Sequence, residues 1–240
     1  MKKLPCILAL AASAAFVLAA TAQAQPGAPV KTVAKTTAAA PVGYAEDMAQ
    51  AVADLTSTAD PAVLQAAAAK MERVAATVPT DWLPRYYQAY ALATSTFQSH
   101  DNATAKDHTL DQAEKALGQA RQLKGDESEL LALQAYVYQA RLVVAPTERG
   151  QQYSELAGDA VAQAKALNPA NPRPYLIAAN NLYHTPSEYG GGAAAARPLF
   201  EFAQAKFAAF KPATPLAPQW GQDQVLVRMK EYAAPAQASK

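Results

Sequence analysis

The chain has 240 residues, 21 basic and 20 acidic side chains, and a hydrophobic fraction of 51% that alanine inflates. A charge this balanced excludes electrostatic steering toward nucleic acid or anionic lipid, and the single cysteine, Cys6, excludes a disulfide framework within the chain. Alanine is the best intrinsic helix former and lets helices approach closely, so composition alone favours helices.

The first residues, Met1-Lys2-Lys3, precede an apolar run from Leu4 to Ala20 and then small residues around Ala24. This pattern predicts an export signal peptide over residues 1–24, cut after Ala24. The run is too short, and lacks the charged flank, to hold a helix in a bilayer. Cys6 leaves with the signal, and the remaining chain carries 19 basic and 20 acidic groups, a net charge near −1. The expected location is the bacterial periplasm or the cell exterior. Residues 25–43 are rich in Pro, Ala, Thr and Lys with scattered Val, too little apolar surface to offset the entropy of ordering, and are predicted to be a flexible linker.

From Tyr44 onward the chain repeats itself. Small or apolar residues fall at offsets 0, 4 and 7, with a Pro or Gly breaker at 12. Ala67, Met71, Val74 and Pro79 form the first set, and Ala113, Leu117, Ala120 and Gly125 the second. Ala157, Val161, Ala164 and Pro169 follow, then Ala203, Phe207, Phe210 and Pro215, at shifts of 46, 44 and 46 residues. A second pattern precedes these sets at offsets 0, 3, 4 and 7, one face of a helix. It comprises Leu83, Tyr86, Tyr87 and Tyr90; Glu129, Ala132, Leu133 and Tyr136; and Tyr175, Ala178, Ala179 and Leu182. Met48, Ala51, Val52 and Leu55 give a shorter first unit, and Gln219 to Tyr232 reads as a capping helix before a frayed tail at 233–240.

Paired helices at this spacing, closed by proline, resemble tetratricopeptide repeats over residues 44–232. The run Asn168-Pro169-Ala170-Asn171-Pro172 after Ala157, Val161 and Ala164 is similar to the end of one such repeat entering the next. The resemblance implies an all-α fold, a right-handed superhelical stack of about four antiparallel helix pairs with a C-terminal cap. The sequence departs from the family where Tyr87 and Leu133 replace its usual small residue, and where the usual period of about 34 is stretched by about 12. The extra residues are expected in inter-helix loops at Ser99 to Asp107, Ala145 to Gln152 and Thr185 to Gly192, lining one edge of the stack. The stretch Tyr183 to Gly192 is also similar to a loop of secreted bacterial helical-repeat proteins of unassigned role.

Little in the chain suggests catalysis, and no catalytic residue, metal site or cofactor is assigned. The imidazoles and carboxylates of His100-Asp101 and Asp107-His108 bracket a polar stretch in a pattern able to hold a divalent metal, but these residue types are equally ordinary at helix ends. Gly190-Gly191-Gly192 before a helix start reads as a tight turn or hinge, because no Lys-Ser or Lys-Thr follows to make a phosphate loop. Tyr86, Tyr87, Tyr90 and Tyr136 read as interhelical packing.

The resemblance further implies that one face of each first helix lines a concave groove. Projected onto this chain, that face carries Gln88, Gln134 and Asn180 at intervals of 46 residues, a carboxamide ladder able to donate to and accept from a peptide backbone. Leu92, Tyr138, Tyr183 and His184 would add apolar and aromatic contact. The expected function is therefore a non-enzymatic scaffold that binds a protein or an extended peptide. The alternatives are a structural envelope component without a discrete ligand, and a metal-dependent enzyme working through the His100 to His108 stretch.

Overall fold

Short polar side chains start the helices. In the computed structural model, which describes residues 41–234, the Asp60 carboxylate accepts from the Ala62 and Val63 amides ahead of α2 (Pro61–Thr77). Asn102 accepts from Ala105 at the start of α4 (Ala103–Gln122), and Asp126 from Glu129 at the start of α5 (Glu127–Val144). Each satisfies an amide that the first helical turn leaves without a partner. The other helices are α1 (Tyr44–Thr56), α3 (Leu83–Gln98), α6 (Pro146–Leu167), α7 (Arg173–His184), α8 (Ala193–Ala209) and α9 (Gln222–Ala233). Pro61, Pro84, Pro146 and Pro174 sit in first turns, where a missing N–H costs nothing.

The described residues hold these nine helices and no strand. Consecutive helices pair as α1 with α2, α3 with α4, α5 with α6 and α7 with α8, and α9 packs on α8. The odd-numbered helices also touch in order, α1 on α3, α3 on α5 and α5 on α7, so they form a continuous layer. This is the expected stack of four helical hairpins with a cap. The repeat residues face inward: Met71, Ala113, Leu117, Ala120, Ala157, Val161, Ala164, Ala203 and Phe207 are buried on the even-numbered helices, and Tyr86, Tyr87, Ala132, Leu133 and Ala179 on the odd ones. The run of alanines at these contacts is what allows the close approach.

The longer period is taken up differently from the sequence expectation. The expected loop at Ser99 to Asp107 shrinks to residues 99–102, and that at Ala145 to Gln152 to Ala145 alone, because the remaining residues continue as the first turns of α4 and α6. Only Thr185 to Gly192 stays outside the long helices, and it contains a 3-10 turn at Ser187–Tyr189. The extension is held by charge: Asp107 in α4 receives both Arg149 of α6, at 2.7 Å through each terminal nitrogen, and Arg141 of α5 at 2.9 Å. These two arginines hold the Asp107 carboxyl below the usual carboxylate range.

The three glycines at 190–192 make a tight turn. Gly190 and Gly192 have positive φ, and a Cβ on Gly191 would lie 2.2 Å from the Thr185 carbonyl oxygen. The signal read at 1–24, all but the end of the linker read at 25–43, and the tail after residue 234 lie outside the described residues. No helix among the described residues is long and apolar enough to cross a membrane.

Candidate functional site

The odd-numbered layer and the chain that returns across it enclose a cavity of about 1780 Å³. Helix α3 supplies Tyr87, Tyr90, Thr94 and Phe97, spaced at helical intervals along one face, and α5 supplies Tyr136, Gln139 and Val143. Asn180, Asn181 and His184 come from α7, and Val227 and Arg228 from α9. Helix α1 adds Val52 and Thr56, the first turns of α6 add Pro146 and Gly150, and the proline-punctuated segment 210–221 between α8 and α9 contributes Leu216 and Trp220.

Four aromatic rings form one continuous side. Tyr90 stacks on Trp220 with centroids 4.9 Å apart and on Tyr136 at 5.8 Å. Tyr136 touches Trp220 at 5.4 Å and Phe97 at 5.0 Å. Burial pushes the phenols of Tyr90 and Tyr136 above their usual range, so both stay protonated.

The returning segment is fastened by a buried network that begins two residues inside α5. Arg173, fully buried at the start of α7, donates to the Glu129 carboxylate at 2.8 Å and also to the Pro218 carbonyl oxygen. Tyr86 donates to the other Glu129 oxygen at 3.2 Å and accepts from the Trp220 indole N–H at 2.8 Å. The guanidinium lies 5.0 Å from the Phe210 ring and 5.6 Å from that of Trp220, and Tyr87 donates to the Leu216 carbonyl at 2.9 Å. Gly221 closes the segment at φ 103°, where a Cβ would press within 2.9 Å of both Leu176 and Phe207; only glycine suits both demands. Trp220 is thus held in the cavity wall by bonds that reach α3, α5 and α7 together.

Burial raises the Glu129 carboxyl to about 7, against the opposing pull of Arg173. The folded chain therefore holds this proton more tightly than the unfolded chain. The stability it contributes is full below the ordinary glutamate range and is lost as pH rises through about 7. The expected result is a melting temperature that declines between pH 5 and pH 8, and a Glu129→Gln variant in which that decline is much reduced. Thermal denaturation followed by circular dichroism across this range checks it, and equal slopes in the two proteins would refute it.

The carboxamide ladder does not share one surface. Gln88 is buried, accepts from Arg85 at 2.8 Å, and with Leu92 lines a separate polar cleft of about 270 Å³ between α2, α3 and α4. Gln134 lines neither space, Tyr138 rests on Tyr153 of α6, and Tyr183 lies behind the cavity against Phe200. Asn180 and His184 alone among the projected residues line the large cavity. For Gln88 the reason is rotational: Gln88 and Tyr90, two residues apart, point about 200° away from each other on α3.

Gln139 and Asn181 supply the amides that do meet, Gln139 Nε2 donating to Asn181 Oδ1 and to the Ile177 carbonyl. Burial, and then the nearby charge of Arg228, hold His184 below the usual imidazole range. Of the four tyrosines read as packing, Tyr86 is wholly internal, whereas Tyr87, Tyr90 and Tyr136 reach the cavity.

Around His100 and His108 the structure is not arranged for a metal. Asp107 is engaged by two arginines, the His108 ring meets the Gln112 amide at 3.0 Å, and no group of three or more ligating side chains able to hold a metal ion occurs among the described residues.

No family model matches the chain, that of the tetratricopeptide repeat included, and no curated protein matches it either. Among solved structures, the HusA haemophore from Porphyromonas gingivalis is similar, with 34% sequence identity and a TM-score of 0.70. The similarity covers 83% of this chain and 100% of that one.

Proposed function

The chain belongs to the family of the HusA haemophore, and on that premise we propose that it is an exported, non-enzymatic binding protein whose ligand is haem, seated in the cavity of the odd-numbered helices. The observation that carries this reading is the wall of Phe97, Tyr136, Tyr90 and Trp220. These rings pack on one another into an apolar aromatic wall of the kind a broad, flat, conjugated ligand lies against, and aromatic pairs add about 0.5–1.5 kcal/mol each beyond the area they bury.

Size supports it as well. Sites for drug-sized molecules occupy roughly 300–1,000 Å³, so a cavity of about 1780 Å³ has room for a larger ligand. Arg228, whose guanidinium lies 3.8 Å from the Tyr183 ring and also pairs with Glu231, brings a cation to the lining that suits a propionate carboxylate. Asn180 and Asn181 add amide donors, the latter steadied by Gln139. An extended peptide, the ligand expected from the sequence, would want evenly spaced backbone partners, and the ladder meant to supply them is split, with Gln88 in the small cleft, Asn180 in the large cavity and Gln134 in neither. We read the helix pairs themselves as tetratricopeptide-like with lengthened helices, and the amino-terminal signal as the route of export.

Titrating the purified chain, without residues 1–24, with haemin tests the proposal. The expected result is saturation at one haemin per chain, with a shifted Soret band and quenched tryptophan emission. A spectrum that stays that of free haemin at stoichiometric concentrations would overturn it.

A further inference from the structure

The small cleft of about 270 Å³ lies across α3 from the aromatic wall, between α2 and α4. Helix α3 gives it the buried side chains of Gln88 and Leu92. Gln65 and Glu72 of α2 and His108 and Gln112 of α4 stand around these. We propose that this cleft is a binding site for a small, neutral, hydroxyl-rich molecule of the monosaccharide class, separate from the cavity proposed for haem.

The observation that carries this is Gln88. It is 7% exposed, and Arg85 donates to its Oε1 at 2.8 Å, which fixes the amide so that the nitrogen is the free end. The Nε2 group has no hydrogen-bond partner among the described residues, although its side chain lines the cleft. Buried polar groups are ordinarily paired, so a held amide with both N–H groups free rewards a ligand that brings acceptors.

Charge decides the class of ligand. Glu72 is the one carboxylate of the lining, and Arg85 stands 3.8 Å from it, so the two offset each other. An anion would be repelled by Glu72, and the guanidinium that could attract it is already engaged with Gln88. A metal cation would find no group of three ligating side chains among the described residues. Hydroxyls donate and accept at once, as carboxamides do, and Gln65, Gln88 and Gln112 bring three carboxamides to one small space. The His108 ring meets the Gln112 amide at 3.0 Å, which steadies the α4 side. Leu92 and Ala68 supply apolar surface for the C–H face of a sugar ring. The volume falls just below the roughly 300–1,000 Å³ of sites for drug-sized molecules, which suits a single ring.

The test titrates the nitrogen-15-labelled chain with glucose, galactose, mannose, ribose and N-acetylglucosamine at millimolar concentrations, reading side-chain amide signals by NMR. The signals of Gln88 are identified by their loss in Gln88→Met, which keeps the length of the side chain without its N–H groups. The expected result is that at least one sugar shifts the Gln88 amide signals saturably and leaves those of Asn180 and Gln139 in place. Gln88→Met should weaken that sugar roughly 10-fold, the value of one to two neutral hydrogen bonds. Gln112→Ala, an exposed change on the α4 side, should weaken it severalfold and decides the matter if circular dichroism shows Gln88→Met unfolded. Gln88 signals unmoved by all five sugars, or sugar affinity unaltered in both folded variants, would overturn the proposal. Haemin titrated into the same variants should bind as in the wild type, and a matching loss of haemin affinity would overturn the separation of the two sites.

Discussion

Above pH 7, where Glu129 ionises, Arg173→Leu is expected to lower the stability of the fold by about 3–5 kcal/mol, because it leaves the buried Glu129 carboxylate without its partner. For a domain of this size each kcal/mol shifts the melting temperature by about 2–4 °C, so a fall of roughly 6–20 °C should appear in a thermal circular dichroism scan. The loss has several sources. Arg173 also donates to Pro218 and lies over the rings of Phe210 and Trp220, so the variant loosens the segment that closes the cavity as well as the α5–α7 contact.

A second substitution separates charge from packing. Replacing a whole buried pair by apolar side chains is often neutral or stabilising, so Glu129→Met combined with Arg173→Leu should recover much of the lost stability. If the double variant melts as low as Arg173→Leu, the packing and carbonyl contacts of the guanidinium dominate. If Arg173→Leu melts within a degree or two of the wild type, the network does not fasten the segment.

The stack was legible because its determinants are local and periodic. Met71, Leu117, Val161 and Phe207 recur at the spacing of one helix pair, and the prolines and Gly125 that follow them break the chain at the same place in each unit. Helix length was misjudged for a local reason too. Polar residues from Ala103 to Asp107 and from Pro146 to Gln152 look like loop, yet they are helical because Asn102 caps one helix, Pro146 opens the other and Arg149 ties the two starts together.

The cavity was largely hidden. A run such as Tyr86, Tyr87 and Tyr90 satisfies a helix face in two rotations, and only the placement of α5 and of segment 210–221 decides which rings are internal. Even so, Phe97, Val143 and Tyr189 are 46 residues apart and all line the cavity. An apolar ladder was therefore present in the spacing, although the amide ladder is the one that attracts the eye. Trp220 carried no such signal. It lies outside the repeats, and its hydrogen bond to Tyr86 spans 134 residues.

Trp220 is where fold and proposed function meet, so Trp220→Ala should give the largest loss of haemin affinity. A central, well-buried tryptophan in a binding surface is commonly worth 2 kcal/mol or more on truncation, which at about 1.4 kcal/mol per factor of ten is a loss of roughly 30-fold or greater. Removing the side chain also empties core volume and costs stability, about 3–5 kcal/mol for a buried tryptophan. Affinity must therefore be measured well below the melting temperature of the variant. Trp220→Phe keeps a ring against Tyr90 and Tyr136 but gives up the bond to Tyr86, and should retain most of the affinity while losing part of the stability. Phe202→Ala, on the exposed side of α8 and away from the cavity, is the matched control and should leave haemin binding unchanged. Because the chain has two tryptophans, a Trp82→Phe background assigns the emission to Trp220. Haemin bound in the cavity must quench that emission strongly, and intact quenching with unchanged affinity in Phe202→Ala would localise the ligand to the aromatic wall. If Trp220→Ala binds haemin as the wild type does, the wall is not the seat of the ligand.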